Sequence, residues 1–348
     1  MAIPGQIRIG AQRHSHTRRW MGWRKFMTLI GGLAIAWPLA CYAQQPKGPV
    51  KSCRDPSPRC SMSPTPERPH CTPPRGAWLD RGQTIVFDCV STVGRIDQVP
   101  ALAHELVSRR PDVLMALQWS FVRALKQETT IVPIVMLSGW EPVRIGLITS
   151  LARPGGNVTG VAWLYLLPKQ MELLKEIVPK LRRVAYVILG AAYSPEVHKI
   201  VEENRQIAAS ALGLTWQVFR AATVSDYDEI FAHLAAEHFD AAAIPSGPAN
   251  FQNLTRICQL AQRYRIPAVS ESSEWAKGGL LLSYGQDGSW SGARAMEYVD
   301  KILRGAKPSD LPVEQATKFL LTINLKTAKE LGHTVPPSLI ARADEVIE

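Results

Sequence analysis

Asp112-Val113-Leu114-Met115-Ala116-Leu117 is followed by Ser120-Phe121-Val122-Arg123-Ala124-Leu125-Lys126-Gln127-Glu128, and then by Ile131-Val132-Pro133-Ile134-Val135-Met136-Leu137. After Asp112 the outer two runs are apolar throughout and do not alternate with polar residues. A strand with one face in water alternates; a strand covered on both faces does not. The middle run has the length and pattern of a short helix. Strand, helix and strand in this order predict part of a parallel sheet.

The same texture extends in both directions. Towards the N-terminus the pattern predicts a strand over 83–90 and a helix over 98–109, with Leu102, Leu106 and Val107 on its apolar face. Towards the C-terminus it predicts a helix over 143–151 and a turn at Arg153-Pro154-Gly155-Gly156-Asn157. A strand over 158–162 follows, then a break near 162–167. A second series has helices over 168–177, 195–212, 227–237, 254–264 and 290–303, and strands over 184–189, 215–219, 241–244, 268–270 and 280–284. Gly213 and Gly305 end two of those helices, and 317–323 reads as a final long strand. Two such series predict an α/β fold of two doubly wound parallel-sheet lobes.

The chain starts differently. Arg24 and Lys25 precede an apolar run over 26–36, Trp37-Pro38-Leu39 breaks it, and Cys41-Tyr42-Ala43 offers small residues at a cleavage position. This is the layout of an export signal, so residues 1–43 read as a leader. The run is shorter than the roughly 20 residues a bilayer span needs. An exported protein works without cytosolic ATP or NAD, which favours binding over cofactor chemistry, and no cofactor is expected. Residues 44–78 read as disordered or abnormal. Nine prolines fall between 46 and 78, and large apolar side chains are nearly absent there.

Net charge is +10 over 348 residues. Residues 1–78 hold twelve Lys and Arg against Asp55 and Glu67, and 79–348 hold equal numbers of each sign. The basic excess belongs to the leader and the segment behind it, which argues against a nucleic-acid partner. Cys53, Cys60, His70 and Cys71 fit no paired zinc knuckle, so no metal is expected.

Catalytic constellations are nearly absent. His104-Glu105 lacks a second zincin histidine; there is no nucleophile elbow and no phosphate-binding glycine loop. A binding protein is expected, not an enzyme. In open α/β sheets ligands lie at the carboxyl ends of strands. Gln118, Trp119 and Ser120 follow one strand; Ser138, Trp140 and Glu141 follow the next. Tyr193, Ser246, Glu271, Tyr284 and Asp287 take equivalent positions in the second series, and Trp275 lies close behind Glu271. Hydroxyls and helix-start amides suit a carboxylate. Glu141 or Asp287 suits an ammonium. Trp119, Trp140 and Tyr193 suit an apolar or aromatic body. A small polar or zwitterionic ligand is expected.

Several longer motifs carry a family resemblance. They are Leu151-Ala152-Arg153-Pro154-Gly155-Gly156-Asn157-Val158-Thr159-Gly160, Lys169-Gln170-Met171-Glu172-Leu173-Leu174-Lys175-Glu176, and Gly278-Gly279-Leu280-Leu281-Leu282-Ser283-Tyr284-Gly285. The tail Ile323-Asn324-Leu325-Lys326-Thr327-Ala328-Lys329-Glu330-Leu331-Gly332 completes them, and the leader agrees. With these motifs the chain resembles bacterial ABC-transporter substrate-binding proteins, related to binding proteins for aromatic amino acids, over roughly 21–45 and 80–348.

The resemblance implies a type I periplasmic binding fold, with two lobes joined by a hinge and closing over a solute. It implies lobe one at 79–162 plus 283–316 and lobe two at 163–282 plus 317–348. It also implies a periplasmic monomer that hands an amino-acid-like solute to an inner-membrane ABC permease. A sensory receptor of the same fold, or a decayed product that binds nothing, is the alternative. Glu141-Pro142-Val143 stands where the family usually has Asp-Pro-Val, and Trp119 stands among small residues of the family. The first strand and helix of lobe one should fall at 46–78, where the Pro-, Arg- and Ser-rich composition is that of a gene read in a shifted frame.

Overall fold

The computed structural model describes residues 39–44, 86–91, 98–189 and 195–348. The leader up to residue 38, the proline-rich segment at 46–78 and Tyr193 lie outside the described residues. The chain divides into two compact units. Unit 1 takes the chain up to Ala162 together with Ser289–Glu314; unit 2 takes Trp163–Gly288 and Gln315–Glu348.

Unit 1 is built on a six-stranded sheet. Its strands are β1 (Leu39–Gln44), β2 (Val86–Ser91), β3 (Val113–Ala116), β4 (Ile134–Trp140), β5 (Val158–Trp163) and β11 (Glu314–Gln315), in the order β11-β5-β4-β3-β1-β2. β3 and β4 run parallel, as the apolar runs predict. All four residues of β3 are buried, which a sheet covered on both faces requires. Helices α1 (Val99–Ser108) and α2 (Trp119–Glu128) lie before and after β3 in the chain. α1 buries Val99, Ala103 and Leu106; α2 buries Phe121, Val122, Ala124 and Leu125. Val113, Met115 and Val135 pack with Ala295, Met296, Val299 and Ile302. Each Val, Leu, Ile, Phe or Met side chain fully removed from water contributes roughly 1.5–3 kcal/mol.

Two features of unit 1 depart from the sequence reading. First, β1 falls in the stretch expected to end a leader and runs antiparallel to both β2 and β3. The place beside β3 is thus filled, but against the direction of a doubly wound sheet. Second, the helix expected over 143–151 is a series of turns. Glu141 (φ 44°) and Gly146 (φ 73°) hold left-handed backbone, which breaks helical continuation. The carbonyls of Gly146 and Leu147 accept from the Lys126 ammonium instead, at 2.8 and 2.9 Å. Strand β5 approaches β4 closely at Gly160, where φ is 124° and an added Cβ would stand 2.2 Å from the Met136 carbonyl oxygen.

Unit 2 is built on a seven-stranded sheet. Its strands are β6 (Arg183–Leu189), β7 (Thr215–Ala221), β8 (Ala241–Ala243), β9 (Ala268–Ser270), β10 (Leu282–Gln286), β12 (Phe319–Asn324) and β13 (Glu345–Ile347), in the order β13-β12-β10-β9-β8-β6-β7. Pairing is parallel from β7 through β10 and antiparallel between β10 and β12. Helices α3 (Leu167–Ile177), α4 (Pro195–Leu212), α5 (Asp226–Ala236), α6 (Pro248–Gln252), α7 (Leu254–Arg263) and α8 (Ser273–Gly278) connect the strands. Gly288–Leu303 forms α9. Tyr227, Phe231, Leu234, Ile257 and Trp275 lead a buried core that also contains Cys258. Burial pushes the Cys258 thiol up to about 12.

β10 pairs with β9 and β12, so residues 283–288 belong to unit 2, and the second crossing follows Gly288 instead of falling at Ser283. The final long strand is β12, shifted to 319–324, and three further elements follow it: α10 (Leu325–Leu331), α11 (Pro337–Ile340) and β13. Asn324 explains the first of these. Its side-chain oxygen accepts from the Thr327 amide at 2.9 Å, capping α10, which Gly332 closes with φ 81°.

Candidate ligand site at the strand ends

In unit 1 the carboxyl ends of β3 and β4 are neighbours. Gln118 has extended backbone and opens α2, so Trp119 and Ser120 stand in its first turn. The Arg123 guanidinium lies 5.3 Å from the centre of the Trp119 ring. The Ser138 hydroxyl donates to the Leu117 carbonyl and ties the two strand ends together. Ser138 and Trp140 are the last polar and aromatic residues of β4, and Glu141 follows in left-handed backbone. Gln118, Trp119, Ser120, Ser138, Trp140 and Glu141 are all half-buried. The fold therefore gathers the six expected residues of unit 1 on two adjacent strand ends.

In unit 2 the carboxyl ends of β8 and β9 meet. The Ser246 amide donates to the Glu271 carboxylate at 2.5 Å. The Ser246 hydroxyl accepts from the Trp275 indole at 2.6 Å and stands 3.1 Å from the Ser270 hydroxyl. Ser270 in turn donates to the Ile244 carbonyl at 2.5 Å. Burial raises the Glu271 carboxyl above its ordinary range, against the opposing pull of the donors from Ser246 and Ser270. Ser283 pairs with Ser270 across β9 and β10 and is buried. The hydroxyls of Ser272 and Ser283 have no hydrogen-bond partner among the described residues. Buried polar atoms ordinarily have one, so the unpartnered hydroxyls of Ser272, next to Glu271 in the chain, and of Ser283, opposite Ser270, mark strand ends suited to a polar ligand.

The other expected residues of unit 2 are placed differently. Tyr284 lies inside β10 and stacks on Phe319, with ring centres 5.9 Å apart. Asp287 is buried and pairs with the Lys318 ammonium at 2.9 Å. This ion pair would compete with the ammonium that the sequence reading offered to Asp287. Gln286, beside it, holds the Leu164 backbone with both ends of its amide, at 2.9 and 3.2 Å.

Sequence reasoning missed Asn250, which carries the framework under the unit 2 strand ends. Its amide donates to the carbonyls of Val187 and Pro245, both at 2.9 Å. Its oxygen accepts from the Leu189 amide at 3.1 Å and from the Tyr227 hydroxyl at 2.5 Å. One side chain therefore joins the ends of β6 and β8 to α5. The only available signal was an asparagine inside a short apolar helix start, Pro248-Ala249-Asn250-Phe251. Trp275 was legible as a strand-end aromatic, but its bond to Ser246 was not.

Among the described residues no group of three or more His, Cys, Asp and Glu side chains is arranged to hold a metal ion. No helix among them is long and apolar enough to cross a membrane.

The family model for ABC transporter substrate binding proteins matches residues 79–347. The tyrosine-binding protein of Clostridioides difficile (strain R20291) is 23% identical over 255 residues, which cover 72% of this chain and 71% of that protein. Among solved structures, the ABC domain in complex with L-Trp from Streptococcus pneumonia is similar with a TM-score of 0.66 and 26% identity, covering 73% of this chain and 87% of that one. A conserved domain protein from Vibrio cholerae is similar with a TM-score of 0.67 and 27% identity, covering 73% and 84%.

Proposed function

Because the chain belongs to the family of ABC transporter substrate-binding proteins, we propose that it captures an amino-acid-like solute in the periplasm and passes it to an inner-membrane ABC permease. Membership in a family of binding proteins supports stoichiometric capture without turnover. An aromatic amino acid is the leading ligand. The similar solved domain holds L-Trp, and the curated relative is a tyrosine-binding protein. In this chain Trp119 and Trp140 suit an aromatic body, and Gln118, Ser120, Ser138 and Glu141 suit its polar end. Tyr193 joins this reading from the sequence alone. Tyr284 and Asp287 serve as frame, since Phe319 and Lys318 already engage them.

The observation that carries the proposal is the unit 2 cluster. Ser246, Ser270, Glu271 and Trp275 are bonded to one another at adjacent strand ends, with two unpartnered hydroxyls close by. Titration calorimetry with L-Trp, L-Tyr and L-Phe tests it. Saturable binding of one of them near one per chain is expected. Trp140→Ala should reduce the change in tryptophan fluorescence on ligand addition, and an unchanged titration would remove Trp140 from the site. The antiparallel course of β1 favours one second reading, a product that folds in part and binds nothing. Flat titrations with all three amino acids would support that reading.

A further inference from the structure

The hydroxyls at the unit 2 strand ends form a chain with one direction. An indole nitrogen can only donate, and a backbone carbonyl can only accept. The Trp275 indole donates to the Ser246 hydroxyl at 2.6 Å, and the Ser270 hydroxyl donates to the Ile244 carbonyl at 2.5 Å. The Ser270 proton is thereby committed. Across the 3.1 Å between the two hydroxyls, Ser246 donates and Ser270 accepts. The Ser246 amide is committed as well, to Oε2 of Glu271 at 2.5 Å. Ser246, Ser270 and Trp275 therefore have no proton left to offer a solute carboxylate.

What remains suits the opposite charge. Oε2 of Glu271 holds the Ser246 amide, which leaves Oε1 for a solute. The unpartnered hydroxyls of Ser272 and Ser283 can accept as well as donate. β10 fixes the acid from behind, since a Cβ on Gly285 would stand 1.6 Å from the Glu271 carbonyl oxygen. Charged groups on the neighbouring elements are paired or exposed. Asp287, after β10, pairs with Lys318; Lys277 of α8 pairs with Glu345 at 2.9 Å; Glu274 of α8 is exposed. Among the described residues no cationic side chain pairs with Glu271.

We propose that Glu271 is the residue that takes the ammonium group of the solute. This rests on the reading of the chain as a binder of amino-acid-like solutes. Its consequence is a proton. Burial favours the protonated carboxyl in the empty protein, and an ammonium favours the carboxylate. Binding then releases a proton, and affinity rises with pH above the ordinary carboxylate value of 4.5. A carboxyl that kept its proton, to donate it to the solute's carboxylate, would give the opposite sign.

Titration calorimetry of the full chain with L-Trp, L-Tyr and L-Phe, in two buffers of unlike ionisation enthalpy and at several pH values, reads both quantities. Proton release and tighter binding at higher pH are expected. Glu271→Gln, which keeps an oxygen for the Ser246 amide, should abolish the release, flatten the pH dependence and weaken binding about 10-fold or more. If that variant does not fold, Glu141→Gln decides: it should release the proton as the parent does, whatever its affinity, and loss of the release there overturns the inference. Proton uptake, no proton exchange, or release that survives in Glu271→Gln also overturns it, while the binding proposal stands. Flat titrations of the parent with all three amino acids overturn the binding proposal and this inference with it.

Discussion

Glu271 sits where the chemistry of unit 2 is most exposed to pH. Its carboxylate accepts from the Ser246 amide, yet burial still raises its pKa. An acid that holds its proton more tightly when folded stabilises the fold fully below the ordinary carboxylate value of 4.5. That contribution is lost as pH rises through the folded value. Glu271→Gln removes the titration while keeping an oxygen for Ser246. The unfolding midpoint of the parent should therefore fall, relative to that of the variant, as pH rises above the ordinary carboxylate value of 4.5. Parallel urea midpoints for the two proteins across that range would show that Glu271 does not control the pH response. Asn250 shows a different economy at the same scale. Its four bonds use both amide hydrogens and the oxygen, which leaves nothing for a ligand. It positions the strand ends and is not a contact residue.

At the scale of elements, the βα alternation was legible because each strand is a short apolar run, and burial on two faces leaves that mark on the sequence. Val113–Ala116 and Ala241–Ala243 are buried along their whole length. The turns at 141–150 were not legible, because Val143, Ile145, Leu147 and Ile148 imitate a helical face. A lysine on another helix takes the carbonyls that a helix would have bonded. The tail was missed because α10, α11 and β13 span only seven, four and three residues. β1 was hidden by a stronger local reading, that of a cleavage site. Of the candidate site, the strand-end positions were readable, while the pairing of Asp287 with Lys318 depends on an antiparallel strand far along the chain. The β4–β5 contact has its own test. Gly160→Ala combines left-handed backbone with a Cβ 2.2 Å from the Met136 oxygen. It should cost about 2–4 kcal/mol in urea unfolding. Gly156→Ala, with nothing within 4 Å of the added carbon, should stay within about 0.5 kcal/mol. Equal midpoints for the two variants would mean that the strands separate without penalty.

At the scale of the whole molecule, the chain passes between its two units three times, after Ala162, Gly288 and Glu314. Each passage is anchored inside a unit. In unit 1 the Thr159 hydroxyl donates to the Leu311 carbonyl at 2.8 Å, and the Val313 amide to Leu151 at 2.7 Å. In unit 2 Gln286 grips Leu164, and Asp287 grips Lys318. Unit 2 carries an internal clock for following its own integrity. Cys258 is fully buried in its core, and a thiol with a pKa near 12 has almost no thiolate at neutral pH. An alkylating reagent can therefore modify it only when that core opens. Peptide mapping separates it from the five other cysteines of the chain, and its rate of modification then times the opening of unit 2. A ligand that engages Ser246 and Glu271 should slow that clock, whereas a break in the first sheet should leave it running at its usual pace.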